Sequence, residues 1–239
     1  MKALISTLLI FFAVTFNSFC AQEGIKARFE GKDTLTYSVY FNGFFSGKIK
    51  WVYVGTQKIS GKQVDVLHLD SDTKIFSFLD MTSKEKIFLD SQTHLPIKVQ
   101  RDIVLFGKDE KIEEFYNQDE GFVRITRSTA QEVPQEILRQ DAPIHNILAL
   151  LYFFPSDVDL DKKNKAVYNL PTRKVTITTR GTRKLRLGKE KVEAYFLVGK
   201  GAKRFNLWLD KKRKTPLRLE FLFPVGKVTI VKDLLNEQE

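Results

Sequence analysis

From Thr34 to Ser128 apolar and polar residues alternate almost without a break. Period-two alternation places every second side chain on the same face, so each run must become a strand that is apolar on one side. "TLTYSVYFNGFFSGKIKWVYVG" reads as two strands around the Gly43 and Gly47 breaks. "KQVDVLHLD", "TKIFSFLD", "SKEKIFLD", "PIKVQRDIVLF", "EKIEEFYN" and "FVRITRS" follow, bounded by Gly, Asn, Asp or Ser. "NQDEG" at 117–121 is a turn signal. Strands this closely spaced pair as an antiparallel meander, and no crossover helices separate them, which argues against a parallel α/β fold. Strands resume after residue 160 as "KAVYNL", "KVTITTR", "RKLRLG", "VEAYFLVG", "RFNLWLD", "PLRLEFLF" and "KVTIVKDL". Aromatics make up 12% of the chain, most of them Phe, which suits a sheet with a deep apolar face.

One hairpin is written twice. In "IFLDSQTHLPIKVQ" (87–100) and "LWLDKKRKTPLRLE" (207–220), an Asp lies six residues before a Pro: Asp90 before Pro96, and Asp210 before Pro216. The Asp can bond its own turn backbone, and the Pro opens a strand where a missing N–H costs least. The repeat is therefore fold grammar. The basic decoration of the second copy is not required by it, since "SQTH" makes the equivalent turn.

The alternation fails once, in "QDAPIHNILALLYFFPSD". Asp141 is placed to cap a helix, Pro143 to sit in its first turn, and Pro155 to stop it. The expectation is a helix over about 141–153 whose Ile144, Ile147, Leu148, Leu150, Leu151 and Phe153 are buried, either as a fixed plug on the open side of the sheet or as a movable lid. The resulting fold class is mainly β: a single strongly curved antiparallel sheet or open β-barrel with one buried apolar helix. Its extent is 34–235, with halves at about 34–130 and 160–235. Two β-subdomains joined near 155–165 are the alternative.

Catalytic constellations are scarce. His68 and Asp70 share a strand face, but one such pair without further histidine ligands is a weak metal or proton-transfer signal. His94 lies in the first repeated turn and is expected to be exposed; His145 is expected inside the apolar helix. Glu113 and Glu114 are adjacent and face opposite ways. No Gly-x-Ser-x-Gly elbow, phosphate loop or zinc-helix motif occurs. The reading is non-enzymatic, with no cofactor and no metal.

Charge is distributed unevenly. The formal net charge is +10, yet from Asp161 onward 21 Lys and Arg stand against 8 Asp and Glu, while residues 21–160 are net −4. Arg180, Arg183, Lys184 and Arg186 are expected around a turn at Gly181, and Lys211, Lys212, Arg213 and Lys214 fill the second repeated turn. Such a basic half attracts anions. Base-stacking aromatics are not seen clustered with these residues in the sequence, and "MKALISTLLIFFAVTFNSFCAQ" has the basic start, apolar run and small-residue end of a secretory signal. The expected cut follows Cys20, with 21–33 as a linker; acylation of Cys20 as a lipoprotein is the alternative. The expectation is thus an exported, periplasmic protein that meets lipid, lipopolysaccharide or an acidic envelope protein and not nucleic acid. Peripheral membrane contact is possible on this reading, and no transmembrane segment follows the signal.

"LTYSVYFNGFFSGKIKWVYV", Asp90 ahead of Pro96, the apolar segment from Asp141 and "NLWLDKKRKTPLRLEF" with its Gly226 return strand together resemble the bacterial family known as domain of unknown function 3108. The resemblance implies an exported envelope protein without an assigned activity. The Trp-Leu-Asp hairpin is also similar to that of periplasmic lipoprotein carriers of the LolA and LolB type. That likeness implies lipid binding by a curved sheet beneath helices. Neither comparison brings catalytic residues. A structural scaffold without ligand and an uncharacterised hydrolase are the competing functional classes.

Overall fold

The computed structural model describes residues 33–75, 79–129, 132–154, 158–201, 203–224 and 226–233. The signal sequence, Cys20 and nearly all of the 21–33 linker lie outside the described residues. The first half contains β1 (Asp33–Phe41), β2 (Phe44–Ile59), β3 (Lys62–Ile75), β4 (Leu79–Asp90), β5 (Pro96–Leu105), β6 (Lys108–Asn117), β7 (Phe122–Ser128) and β8 (Gln135–Arg139). A six-residue helix α1 (Ile147–Tyr152) follows. The second half contains β9 (Lys165–Leu170), β10 (Arg173–Leu187), β11 (Glu190–Lys200), β12 (Arg204–Asp210), β13 (Pro216–Phe223) and β14 (Gly226–Lys232).

Among the described residues these fourteen strands form one antiparallel sheet in the order β8 to β1, then β14 to β9. The halves are hinged on β1 and β14, whose register sets Tyr37 against Lys232 and Phe41 against Val228. The free edges, β8 and β9, are therefore consecutive strands from the middle of the chain. They are not ladder partners, so the sheet is not closed. The segment after β8 spans the gap instead. His145 N donates to Asn169 O at 2.7 Å, Asn169 Nδ2 donates to Asp141 O at 2.8 Å, and Gln140 Nε2 donates to Leu170 O at 3.3 Å. Gln118 holds the same segment from the other side, accepting from Ile144 N and donating to Ile144 O, each at 2.9 Å.

Those contacts shorten the helix relative to the expected 141–153. The N–H groups of Ile144 and His145 are used across the seam and cannot join a helical ladder. Asn146 becomes the cap, its Oδ1 accepting from Leu148 N and Ala149 N. Asp141 instead pairs with Lys174 at 2.8 Å, and Pro143 follows a cis peptide bond. Ile144 and His145 precede the helix, Leu150 and Leu151 are buried within it, and Phe153 is its buried C-cap; Ile147 and Leu148 are half-buried. Inward side chains from both halves meet α1 in one apolar cluster, with Leu35, Leu89, Leu197, Leu207 and Leu209 fully enclosed. Burying each contributes about 1.5–3 kcal/mol. No described helix is long and apolar enough to cross a membrane.

The repeated hairpins are built alike. Asp90 Oδ1 accepts from Gln92 N and Thr93 N; Asp210 Oδ1 accepts from Lys212 N and Arg213 N. In each turn the fourth residue after the Asp takes a left-handed backbone, His94 at φ 53° and Lys214 at φ 51°. In each, the register then shifts so that Leu89 faces Pro96 and Leu209 faces Pro216. Gly47 proves to be internal to β2, and Gly181 internal to β10, where a turn was expected. The short strand β8 had no period-two signature to announce it.

Two outcomes follow for chemical denaturation. Leu207→Ala should lose about 2–5 kcal/mol, as expected for a truncated, fully enclosed leucine. Asp90→Ala and Asp210→Ala should each lose about 1 kcal/mol, with the larger loss at Asp90, whose carboxylate also accepts from Thr93 Oγ1 at 3.0 Å.

Candidate functional site

The extra residue at Arg180–Gly181 determines what the second half displays. The β10–β11 register steps from Thr179 opposite Leu197 to Thr182 opposite Tyr195. Such a bulge reverses the facing of the odd positions beyond it. Val175 and Ile177 accordingly join the main core, whereas Leu185 and Leu187 join a second cluster with Ala194 and Leu217 on the opposite, outer face. Gly181, at φ 77°, supplies a backbone that a side chain would strain.

Above that second cluster lies a row of four side chains from four adjacent strands. Arg183 Cζ sits 4.0 Å from the centroid of the Phe196 ring. Phe196 and Trp208 stack at 4.9 Å, tilted by 39°. Arg218 Cζ lies 5.6 Å over Trp208 and its Nη2 is 2.6 Å from Glu220 Oε1. Each cation–ring contact is worth about 0.5–2 kcal/mol and holds a guanidinium in a fixed plane. The expectation that aromatics stand apart from the basic residues is thus overturned. The signal was available: a tight turn between Lys200 and Arg204 fixes the pairing of Phe196 with Trp208. Arg218, reached only through a third strand, was missed.

The two basic arms are neighbours. Lys184 faces Glu193 across the β10–β11 ladder, and Ala194 faces Asp210 across β11–β12. Lys211 Nζ reaches Glu193 Oε2 at 3.6 Å and lies 5.7 Å over the Tyr195 ring. Arg180, Lys184 and Arg186 are exposed on β10, with Arg186 Nε donating to Gly188 O at 3.2 Å. Lys212, Arg213 and Lys214 crown the turn beyond Asp210, Lys212 and Arg213 exposed and Lys214 half-buried. Arg183 therefore points to the outer face with Phe196 and Trp208, whereas Lys184 and Arg186 alternate with it and point to the opposite side of β10, where Lys184 lies beside the Glu193–Lys211 pair. Arg180 sits at the bulge, and no turn exists at Gly181.

The histidines sit differently from expectation. His94 is not exposed: its side chain retains 13% of its surface, stacks on Phe153 at 4.4 Å with parallel rings, and brings Nδ1 to 3.2 Å from Asp65 Oδ2. Asp65 also accepts from Thr56 Oγ1 at 2.6 Å and Tyr53 OH at 3.0 Å. Burial alone would raise the Asp65 pKa, but the contacts with His94, Thr56 and Tyr53 outweigh it and hold the carboxyl below its ordinary range. His68 faces Lys86 as well as Asp70; burial, then Lys86, pull its pKa down against Asp70. His145 is lowered by burial and meets Tyr168 edge-on at 5.2 Å. Glu114 turns inward to Arg101 and Tyr116, while Glu113 pairs outward with Lys98. Arg101 also binds Glu85 at 2.9 Å, yet burial keeps the Glu85 pKa raised. Among the described residues no group of three or more His, Cys, Asp or Glu is placed to hold a metal ion.

No protein-family model and no curated protein matches the chain. The resemblance to domain of unknown function 3108 and to the LolA and LolB carriers gains no support from either comparison. Among solved structures, the chain is similar to a β-barrel-like protein of domain of unknown function DUF1849 from Brucella abortus. The TM-score is 0.53 at 8% identity, over 84% of this chain and 96% of that one. The two share a fold. A candidate lipoprotein from Parabacteroides distasonis aligns over 86% of this chain and 94% of its own, with a TM-score of 0.29 and 8% identity.

The Asp65 cluster gives a pH test. A carboxyl whose pKa is lowered by folding stabilises the protein above its unfolded value of about 3.9, and that contribution disappears as pH falls through the folded value. Asp65→Asn should therefore lower Tm at about pH 5, where the carboxyl is ionised. Below about pH 4 the gap to wild type should close.

Proposed function

We propose that the chain is a non-catalytic, exported cell-envelope protein whose outer β10–β13 face recognises an anionic amphiphile or an anionic envelope surface. The row Arg183–Phe196–Trp208–Arg218, set beside the 211–214 turn, is the observation that carries this reading. Guanidinium groups suit phosphate geometry, and aromatic rings suit the boundary between headgroup and hydrocarbon. Near an anionic membrane each basic side chain contributes about 1 kcal/mol, screened over a Debye length of ~8 Å. The signal sequence supports export. Because inward side chains and α1 meet in one apolar cluster, the reading places recognition outside the sheet, with α1 as a fixed plug: Phe153 packs on His94 and Tyr53, and Tyr152 on Trp51.

The test replaces Lys211, Lys212, Arg213 and Lys214 with Ser or Gln. Ser91, Gln92 and Thr93 build the equivalent turn without a lysine or arginine, so the variant should fold. Binding of the wild type to anionic vesicles or lipopolysaccharide should weaken with salt, and the variant should bind several-fold more weakly at low salt. Equal binding by both would make the basic turn a solvated loop. Stacked rings and arginines also occur at single-stranded nucleic-acid sites. Tighter binding to an oligonucleotide than to vesicles would therefore replace this reading.

A further inference from the structure

At the other end of β13 the surface changes character. Pairing of β1 with β14 sets the β1–β2 tip beside the β13–β14 tip. Asn42 N donates to Lys227 O and Lys227 N donates to Asn42 Oδ1, both at 2.8 Å, so the two tips are bolted together. Gly226, at φ 149°, lies so close to the Asn42 side chain that a Cβ there would collide with it. On this rigid base three large apolar side chains face solvent: Phe44 at 78% exposure, Phe45 at 59% and Leu222 at 70%. Tyr40 braces Phe45 edge-on at 6.0 Å.

The surroundings are cationic but not uniformly so. Lys203 Nζ lies 3.9 Å over the Phe223 ring, Lys227 reaches Glu220 at 3.3 Å, and Lys48 faces Asp72 in the β2–β3 register. Phe45, Lys48, Asp72 and Lys74 border a shallow groove of about 400 Å³, and Lys74 pairs with Asp80 at 3.5 Å. Exposed rings on a fixed tip beside lysines with long apolar stems match the polar–apolar boundary of a bilayer. A second copy of the chain fits less well. Three side chains offer roughly 500 Å² in all, against about 1,200–2,000 Å² for a stable protein interface.

Phe45 and Leu222 also lie on the same face as the basic row, while Phe44, next to Phe45, points to the other side at the tip. Arg218, Glu220 and Leu222 alternate along β13, so Leu222 is about 13 Å from Arg218 on one side of the strand. We propose that the Phe44–Phe45–Leu222 tip inserts into the interfacial layer of a bilayer containing anionic lipid. The inference goes beyond recognition by the basic face and can fail separately from it, since apolar insertion resists salt and charge attraction does not.

The experiment uses phosphatidylcholine vesicles with phosphatidylglycerol as the anionic component, at low salt and at about 1 M NaCl, where the Debye length is ~3 Å. Wild type should retain binding at high salt. The triple variant Phe44→Ser, Phe45→Ser, Leu222→Ser should lose it by about tenfold or more, while Leu at both Phe positions should preserve it. In Phe45→Trp, brominated acyl chains should quench emission beyond the change seen in wild type. Thermal melting checks that the variants fold. The proposal is overturned if the triple variant binds like wild type at high salt, or if wild type shows no salt-resistant binding. It is equally overturned if sedimentation shows a wild-type dimer that the triple variant abolishes without any vesicle binding. Loss of only the salt-sensitive component in the 211–214 variant bears on the basic face alone.

Discussion

Ser38 and Asp233, 195 positions apart, meet through a 2.7 Å hydrogen bond where β1 runs against β14. Asp233 N donates to Thr36 O in the same ladder, and Tyr37 OH reaches Pro216 O at 3.0 Å on the neighbouring strand. Without this pairing each half would be a separate meander with an uncovered apolar face. With it, inward residues of both halves share one core. The tip formed by the β1–β2 and β13–β14 hairpins exists only because the same ladder sets them side by side. Closing so long a loop is entropically costly before any contact forms, and non-local β pairing of this kind is slow.

Faces of the sheet divide the labour. Inward, side chains of both halves meet α1 in one apolar cluster, and Arg101 pairs with both Glu85 and Glu114. Outward, the bulge in β10 gives the second half a small apolar cluster of its own, against which Trp208 packs while it pairs with Phe196. A one-residue irregularity thus converts what would be further core-facing strand into display surface.

Local chemistry was legible in the sequence and long-range geometry was not. Period two marked most strands, and the Asp–Pro spacing marked two hairpins that share their turn bonds. The antiparallel, unclosed sheet followed from those strands. Three features misled for identifiable reasons. Gly181 has a turn residue's composition, but its strand neighbours continue the ladder through it. Asp141 and Pro143 imitate a helix start, yet their segment is claimed by Asn169 and Gln118, which lie elsewhere in the chain. His94 sits in a hydrophilic turn, and only the arrival of Phe153 and Asp65 encloses it. At the basic face, the charged residues were identified from sequence, whereas Arg218 required knowledge of which strand lay next to β12.

The arrangement of edges has a consequence for assembly. A sheet is vulnerable to domain swapping when a terminal strand forms its edge, because that strand can peel away and add to another molecule. Here β1 and β14 lie at the centre of the strand order, each held by a ladder on both sides. The true edges, β8 and β9, are joined by the chain itself, and the 140–146 segment occupies hydrogen-bonding groups that β9 would otherwise offer to a neighbour. Neither end of the described chain can exchange without breaking two ladders.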